Sequence, residues 1–115
     1  MDELIKRITA FRDERDWGQF HNPKDLAISL NLEASELLEL FQWKNSEEVV
    51  EQNKEKLQDE LADVLYYVLL MCHDLKIDPT EALLNKLSKN KEKYPVEKAY
   101  GSNKKYTELH GGTNE

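Results

Sequence analysis

Two pairs of acidic residues, each with two positions between its members, have types and spacing that could do chemistry. Glu33 and Glu36 form the first pair, and Glu60 and Asp63 form the second. Each pair lies inside a strongly apolar helical pattern, where acidic side chains are normally avoided. Because residues three apart are neighbours on one face of a helix, each pair directs two carboxylates the same way.

The four carboxylates can face one another across a single gap if the two helices pack antiparallel. Carboxylates in such a gap repel each other, and their burial without partners is very costly. A divalent cation that prefers oxygen ligands would stabilise them most simply. The pattern therefore predicts a metal site formed by Glu33, Glu36, Glu60 and Asp63. The alternative is that the acids are solvated residues on exposed helix faces.

The type of ligand restricts the metal. Di-iron bundles use a Glu-x-x-His motif on two helices, and this motif does not occur in the sequence. An all-oxygen ligand set favours Mg²⁺, or Mn²⁺, over Zn²⁺ or iron. Mg²⁺ is usually shared with substrate phosphates, so the site indicates nucleotide chemistry in which the metal polarises a phosphoryl group.

Four helices are predicted to position these residues, which makes the fold class an all-α, four-helix bundle-like domain. Pro23, preceded by Asn22 as cap, begins the helix of the first acid pair, and Pro79 begins the last helix. The stretch from Glu47 to Lys56 is either a loop or an exposed first part of the third helix, with Ser46 at its start. The predicted helices cover Glu3 to about Arg15, Pro23 to about Trp43, the apolar stripe from Leu57 to Cys72, and Pro79 to about Lys93. The remainder, from Val96, is predicted to be an irregular tail.

Aromatic residues beside the first acid pair form a second group of candidates: Trp17, Phe20, His21 and Trp43. Ordinary core packing would explain them, and it is the better interpretation for Phe20 alone. Their position next to the acid-bearing helix favours a flat pocket in which a base stacks. His21 could equally form hydrogen bonds within its loop.

A third group recurs at helical spacing near the end of the chain: Lys86, Asn90 and Lys93. They share one face of the last helix, so they could act together. A lysine there could hold a phosphate, and Asn90 could present a donor and an acceptor to a base edge. The alternative is a solvated basic face that complements the helix dipole, which is our interpretation of Lys91.

Composition excludes several classes of protein. The chain has 115 residues and a net charge of −7, which suits one domain and argues against general binding to nucleic acid. A single cysteine, Cys72, fits a reducing compartment. No signal-peptide pattern occurs at the N-terminus, and the longest apolar run is too short for a bilayer. We therefore expect a soluble, cytoplasmic, single-domain protein that binds neither nucleic acid nor membrane.

Five sequence blocks resemble the MazG-type, all-α nucleotide pyrophosphohydrolases, and most closely the small single-domain branch that includes the dCTP pyrophosphatases. The blocks follow in order along most of the chain and are specific in combination. They are Phe11 to His21, Leu40 to Lys44, Glu60 to Tyr67, Asn90 to Val96, and Gly101 to Leu109.

The resemblance implies Mg²⁺-dependent hydrolysis of a nucleoside triphosphate to its monophosphate and pyrophosphate. It assigns the four acids to the metal, Trp17 to His21 together with Trp43 to the base, and Tyr67 to the sugar. Lys86, Asn90 and Lys93 would serve the phosphates or the base. It also implies a homotetramer, a dimer of dimers with pockets between subunits, and an ordered segment from Gly101 to Leu109.

The mechanism that we expect is attack of water on one phosphorus, the α-phosphorus, with pyrophosphate as the leaving group. Glu39, one three-residue step beyond Glu36, is the candidate to orient or deprotonate that water, so Glu39 and Glu36 are the predicted catalytic residues. Two alternatives stay open. One is a non-catalytic helical oligomeric interaction module, and the other is an enzyme that removes damaged or modified pyrimidine triphosphates from the nucleotide pool.

Overall fold

The computed structural model describes residues 1–105 and Thr107, and all regular elements within that part of the chain are helical. The predicted all-α fold class is thus confirmed. Six α-helices and one short 3₁₀ turn occur there, instead of the four helices predicted. They are α1 (Asp2–Glu14), the 3₁₀ turn (Trp17–Phe20), α2 (Pro23–Glu39), α3 (Ser46–Gln52), α4 (Lys54–Asp74), α5 (Pro79–Lys93) and α6 (Val96–Ala99).

Helix α2 begins where its capping residues predict. The Asn22 side chain accepts a hydrogen bond from the Asp25 backbone N–H at 2.9 Å and donates one to the Asp25 carboxylate at 2.9 Å. Pro23 takes a first-turn position, where it has no hydrogen-bonded N–H to lose. The helix carries Glu33 and Glu36 in its middle and second half.

The predicted end of α2 near Trp43 is wrong by four residues. The helix ends at Glu39, and the next backbone N–H groups bond three residues back instead of four, from Phe41 to Leu38 and from Gln42 to Glu39. Trp43 then adopts a left-handed conformation with φ of 64°, which no residue inside an α-helix can have. The acid-bearing helix therefore stops just after the predicted catalytic residue Glu39.

The polar stretch from Glu47 is helical and not a loop, but it is a helix of its own. It starts at Ser46, as predicted, and its cap is Asn45, whose side chain accepts a hydrogen bond from the Glu48 backbone N–H at 2.9 Å. Helix α3 ends at Gln52 and α4 starts at Lys54, with Asn53 between them. The stretch is therefore neither of the two predicted alternatives, a loop or the first part of one longer third helix.

The chain separates into two compact units, Met1–Asp78 and the part from Pro79 onward. In the first unit α4 packs mainly against α2 and also contacts α1 and α3. The buried apolar side chains are Leu26, Val49, Leu69 and Leu70. The packing of α2 on α4 is what positions the two acid pairs. The assignment of residues 1–115 to a single domain stays a prediction.

The second unit contains α5, which spans the predicted fourth helix from Pro79 to Lys93. The short helix α6 forms at Val96–Ala99, so the prediction of an irregular tail from Val96 is wrong at its start. The expected order through Leu109 falls partly on positions 106 and 108–115, which lie outside the described residues. None of the described helices is both long and apolar enough to cross a membrane.

Candidate metal centre

Three of the four predicted metal ligands converge where α2 packs against α4. Glu33, Glu36 and Glu60 each place one carboxylate oxygen within 4.8 Å of the other two. Oxygen ligands lie about 2.0–2.6 Å from Mg²⁺ or Ca²⁺, so two ligands of one ion are separated by at most about 5 Å. The three residues, called the acid cluster below, therefore have a spacing that fits a single cation.

Two oxygens of the acid cluster are buried without a partner. The Oε2 atoms of Glu33 and Glu60 are inaccessible to solvent and have no hydrogen bond, whereas Glu36 is exposed. Solvated acidic faces would leave all of these oxygens in water, so the burial argues against that alternative. An unpaired, buried carboxylate oxygen is costly unless something binds it.

Burial and mutual repulsion raise the proton affinity of the acid cluster. Burial is the largest cause that raises the pKa of Glu33 to about 7, followed by a hydrogen bond with Glu36 and by the nearby acidic charges. Burial, then the charges of Glu36 and Asp63, raises the pKa of Glu60. The charged neighbours that act on Glu33 are all acids. The described chain therefore does not neutralise the negative charge of the acid cluster by itself. A hard divalent cation would do so, and carboxylate oxygens are the ligands that it prefers.

Asp63, the fourth predicted ligand, lies outside this group of three. Its side chain is exposed, but its charge helps to raise the pKa of both Glu33 and Glu60. Asp63 also lines a neighbouring cavity of about 470 Å³. It therefore connects the acid cluster with that cavity.

The cavity beside Asp63, called the aromatic cavity below, is lined mainly by apolar side chains. Phe11 packs edge-to-face on Trp17 with ring centroids 5.7 Å apart, and on Tyr66 at 6.2 Å. The volume of the aromatic cavity is within the range of small-molecule pockets. Its lining consists of Leu4, Ile8, Phe11, Trp17, Ala62, Asp63, Leu65, Tyr66 and Leu69.

The predicted base-binding residues do not form one pocket within the described chain. Trp17 lies in the aromatic cavity, where its ring packs on Phe11, and not with Phe20 or Trp43. Phe20 is 65% exposed and Trp43 is 94% exposed. A side chain as exposed as Trp43 contacts almost nothing in its own chain.

Tyr67, the residue predicted to approach the sugar, is half-buried and packs edge-to-face on Tyr66 at 5.1 Å. Glu39 is exposed at the end of α2, outside the acid cluster. It lines a shallow cavity of about 460 Å³ with Ser35, Leu38, Phe41 and Gln42. Its predicted role in orienting water stays a prediction.

Helix α5 holds the predicted phosphate and base residues of the second unit. Asn90 lines a cavity of about 450 Å³ that also includes Lys91 and Tyr94. Lys86 and Lys93 do not line it. Lys91, which we interpreted as a solvated charge, therefore lies closer to Asn90's cavity than the two lysines that were assigned a role.

A second charged group, formed by Arg12, Asp74 and His21, was missed by the sequence analysis. Arg12 is buried, with 8% of its surface exposed, and its Nη1 and Nη2 each donate to one oxygen of Asp74 at 2.9 Å. The hydrogen bond from Arg12 is the main reason that the pKa of Asp74 is lowered. One signal was present, because Arg12 lies four residues after Ile8 on the apolar stripe of α1.

Comparisons of the sequence and the fold relate the chain to known proteins. A model of the MazG-like family matches residues 28–109. The protein dCTP pyrophosphatase 1 of Bos taurus is 43% identical over 120 residues, which cover 98% of this chain and 71% of that protein. The Homo sapiens protein of the same name is 42% identical with the same coverage. The crystal structure of a pyrophosphatase from Archaeoglobus fulgidus matches with a TM-score of 0.79 at 45% identity, over 83% of this chain and 92% of that chain.

Proposed function

The chain belongs to the MazG-like family and is a nucleoside triphosphate pyrophosphohydrolase, and we propose that its substrate is dCTP or a modified pyrimidine deoxynucleoside triphosphate. The reaction converts the triphosphate to the monophosphate and pyrophosphate. In this way the enzyme removes unwanted nucleotides from the pool. The proposed substrate rests on the similarity to dCTP pyrophosphatase 1.

One observation supports the proposal most: unpaired, buried carboxylate oxygens lie next to an aromatic cavity. Glu33 and Glu60 supply these oxygens. Asp63, whose charge acts on both of them, also lines the cavity. A nucleotide has the complementary parts, a flat base and a chain of phosphates. Base stacking in the cavity would direct the phosphates toward the acids.

Mg²⁺ is the metal that we propose for the acid cluster, with Mn²⁺ as a substitute. Glu33, Glu36 and Glu60 would hold it, and Asp63 would complete the ligand set. When bound, the ion would neutralise phosphate charge and polarise the phosphoryl group. The partnerless oxygens fit it because carboxylates are the ligands that hard cations prefer.

The protein's own residues would bind the nucleotide and prepare the water. Trp17 would stack on the base and Tyr67 would approach the sugar, whereas Lys86, Asn90 and Lys93 would contact phosphates or the base. Glu39 would accept a proton from the water that attacks the α-phosphorus. The bond from that phosphorus to the bridging oxygen then breaks, and pyrophosphate leaves with the bonding electrons.

We also propose a homotetramer, a dimer of dimers, in the cytoplasm. Large apolar side chains of the first unit are exposed to an extent that is unusual for a monomer, with Leu38 at 71%, Leu61 at 55% and Trp43 at 94%. A second copy that covers them would bring Trp43 and Phe20 to a partner's site. Light scattering of the purified protein measures the mass directly.

The experiment that tests the function is pyrophosphate release from a panel of deoxynucleoside triphosphates in the presence of Mg²⁺. The panel contains the four canonical substrates and 5-substituted pyrimidines. We expect dCTP or a 5-substituted dCTP to give the highest kcat/KM. When Glu33→Gln is measured in the same assay, Glu55→Gln, which removes an exposed acid of α4, is the control for loss of charge alone. Equal rates on all substrates would contradict the pyrimidine assignment, and no release from any would contradict the activity.

A further inference from the structure

Arg12 connects three parts of the first unit. It lies in α1 and forms an ion pair with Asp74, at the end of α4, through two hydrogen bonds. Its Nη1 lies 3.4 Å from Nδ1 of His21. His21 directly follows the 3₁₀ turn that carries Trp17, and its backbone N–H donates to the Gly18 carbonyl at 3.1 Å. The ring of His21 is thus held against a buried guanidinium that is itself held by Asp74.

The contact between Arg12 and His21 determines which ring nitrogen carries the proton. A guanidinium only donates hydrogen bonds and has no acceptor. Nδ1 of His21 must therefore accept, and in the neutral ring the proton then lies on Nε2. Burial and the charge of Arg12 lower the pKa of His21, so the ring is neutral around pH 7. Within the described part of the chain no group is hydrogen-bonded to Nε2.

We propose that Arg12, held by Asp74, is a positioning residue that fixes His21 in the Nε2–H tautomer, so that His21 donates a hydrogen bond to an acceptor oxygen of the nucleotide. The inference deepens the proposed function and rests on it for the identity of the ligand. It also excludes a role for His21 as a general base, because its only free nitrogen already carries a proton. An amino group of a base would find no acceptor there.

The tautomer can be measured without substrate. A two-bond ¹H–¹⁵N spectrum of the full-length protein at pH 7 distinguishes Nδ1–H, Nε2–H and the charged ring, and the signal lost in His21→Gln assigns His21 among the three histidines. We expect Nε2–H in the wild type and a mixture of tautomers in Arg12→Met. An Nδ1–H or charged ring in the wild type would overturn the inference whatever the activity is.

Arg12→Met leaves Asp74 without its partner and could fail to fold. In that case Arg12→Met combined with Asp74→Leu removes both charges and serves as the test. Arg12→Lys keeps a donor near Nδ1 and should restore most of the Nε2–H form. A single, unchanged Nε2–H signal in the double variant would show that Arg12 does not set the tautomer.

Kinetics then test whether the Nε2 proton is used. His21→Phe should raise KM for the best substrate about tenfold and leave kcat within about twofold, because one hydrogen bond to the substrate is lost. His21→Gln, whose amide N–H₂ lies near the position of Nε2, should stay within about threefold of the wild-type KM. Equal KM values for the two variants would overturn the inference, whereas an inactive wild type would instead contradict the proposed function.

Deoxycytidine and inorganic tripolyphosphate, each titrated with Mg²⁺, identify the acceptor. A shift of the His21 Nε2 proton signal with deoxycytidine places the acceptor on the base or sugar, and a shift with tripolyphosphate places it on a phosphate. Either result supports donation by His21. No shift with either compound, at concentrations that saturate binding, would overturn it.

Discussion

The acid cluster and the Arg12–Asp74 pair lie in the same compact unit, and both place charge in partly buried positions along α4. They differ in what compensates that charge. Asp74 receives two hydrogen bonds from Arg12, and its pKa is lowered. Glu33 and Glu60 each keep a buried oxygen without a partner, and their pKa values are raised. The charge of Asp74 is neutralised within the chain by Arg12. The charge of the acid cluster has no such partner in the described chain, and we expect a ligand to neutralise it.

The largest effect, a loss of activity, is expected when a carboxylate of the acid cluster is removed. Glu33→Gln keeps the size of the side chain but takes away a metal ligand, so kcat/KM should fall by about 10²–10³-fold. Without metal, the same variant should be at least as stable as the wild type, because repulsion within the acid cluster is relieved. Pyrophosphate release and thermal unfolding in chelator measure the two effects. Full activity with lowered stability would reverse the assignment of the acid cluster.

At the Arg12–Asp74 pair we expect the opposite effect on stability, a loss when one partner is removed. Asp74→Ala leaves the buried guanidinium of Arg12 unpaired and should lower the free energy of unfolding by about 2–3 kcal/mol. This is below the range for fully buried pairs because the Asp74 side chain is 24% exposed. Chemical denaturation measures the loss. Combining Asp74→Ala with Arg12→Met should restore part of it, and a loss of less than about 0.5 kcal/mol in the single variant would show that the pair contributes nothing.

The two regions should also respond to pH with opposite signs. The folded pKa of Glu33, about 7, lies above its ordinary value of 4.5, so the folded state binds more protons between these values. Without metal, its contribution to stability should therefore fall as pH rises from 4.5 to 7. The folded pKa of Asp74 lies below its ordinary 3.8, so its contribution is present above pH 3.8 and is lost as pH falls below it.

Thermal unfolding in chelator at several pH values checks this contrast. The difference in stability between wild type and Glu33→Gln should grow between pH 4.5 and 7, and saturating Mg²⁺ should remove the growth by binding the folded state. The difference between wild type and Asp74→Asn should be constant there and shrink only at more acidic pH. A flat difference for Glu33→Gln across the whole range would contradict the raised pKa.

The smallest effect is expected for Tyr66, which lies between the two regions. Its hydroxyl is buried without a partner, so Tyr66→Phe should change the free energy of unfolding by less than about 0.5 kcal/mol, or stabilise the fold. Tyr100→Phe, at a position 89% exposed, is the matched control. A loss above about 1 kcal/mol in Tyr66→Phe alone would mean that the hydroxyl has a partner in solution.

The sequence predicted what local patterns determine. Asn22 and Pro23 defined the start of α2, and the three-residue spacing defined which acids share a face. The convergence of Glu33, Glu36 and Glu60 followed from those spacings together with the assumption that the two helices pack. The cap and the spacings need no knowledge of contacts between distant residues, whereas the convergence needed that assumption as well.

Sequence patterns did not predict the features that depend on contacts between distant residues or on the local conformation of the backbone. Arg12 and Asp74 are 62 positions apart, and no local pattern pairs them. The separation of α3 from α4 at Asn53 interrupts a stretch whose residues all tolerate a helix. Helix α2 ends at Glu39, and the turn that follows, with Trp43 in a left-handed conformation, replaces a helix although the apolar pattern continues. The aromatic cavity around Trp17 was missed because Phe11 and Tyr66, which also line it, resemble ordinary core residues of their helices.

The proposed function requires that the acid cluster binds a cation, and Mn²⁺ binding measured by electron paramagnetic resonance tests this most directly. We expect the wild-type protein to bind Mn²⁺ in competition with Mg²⁺, Glu33→Gln and Glu60→Gln to bind it at least tenfold more weakly, and Glu55→Gln to bind as the wild type does. Equal Mn²⁺ affinity in all four proteins would contradict the account.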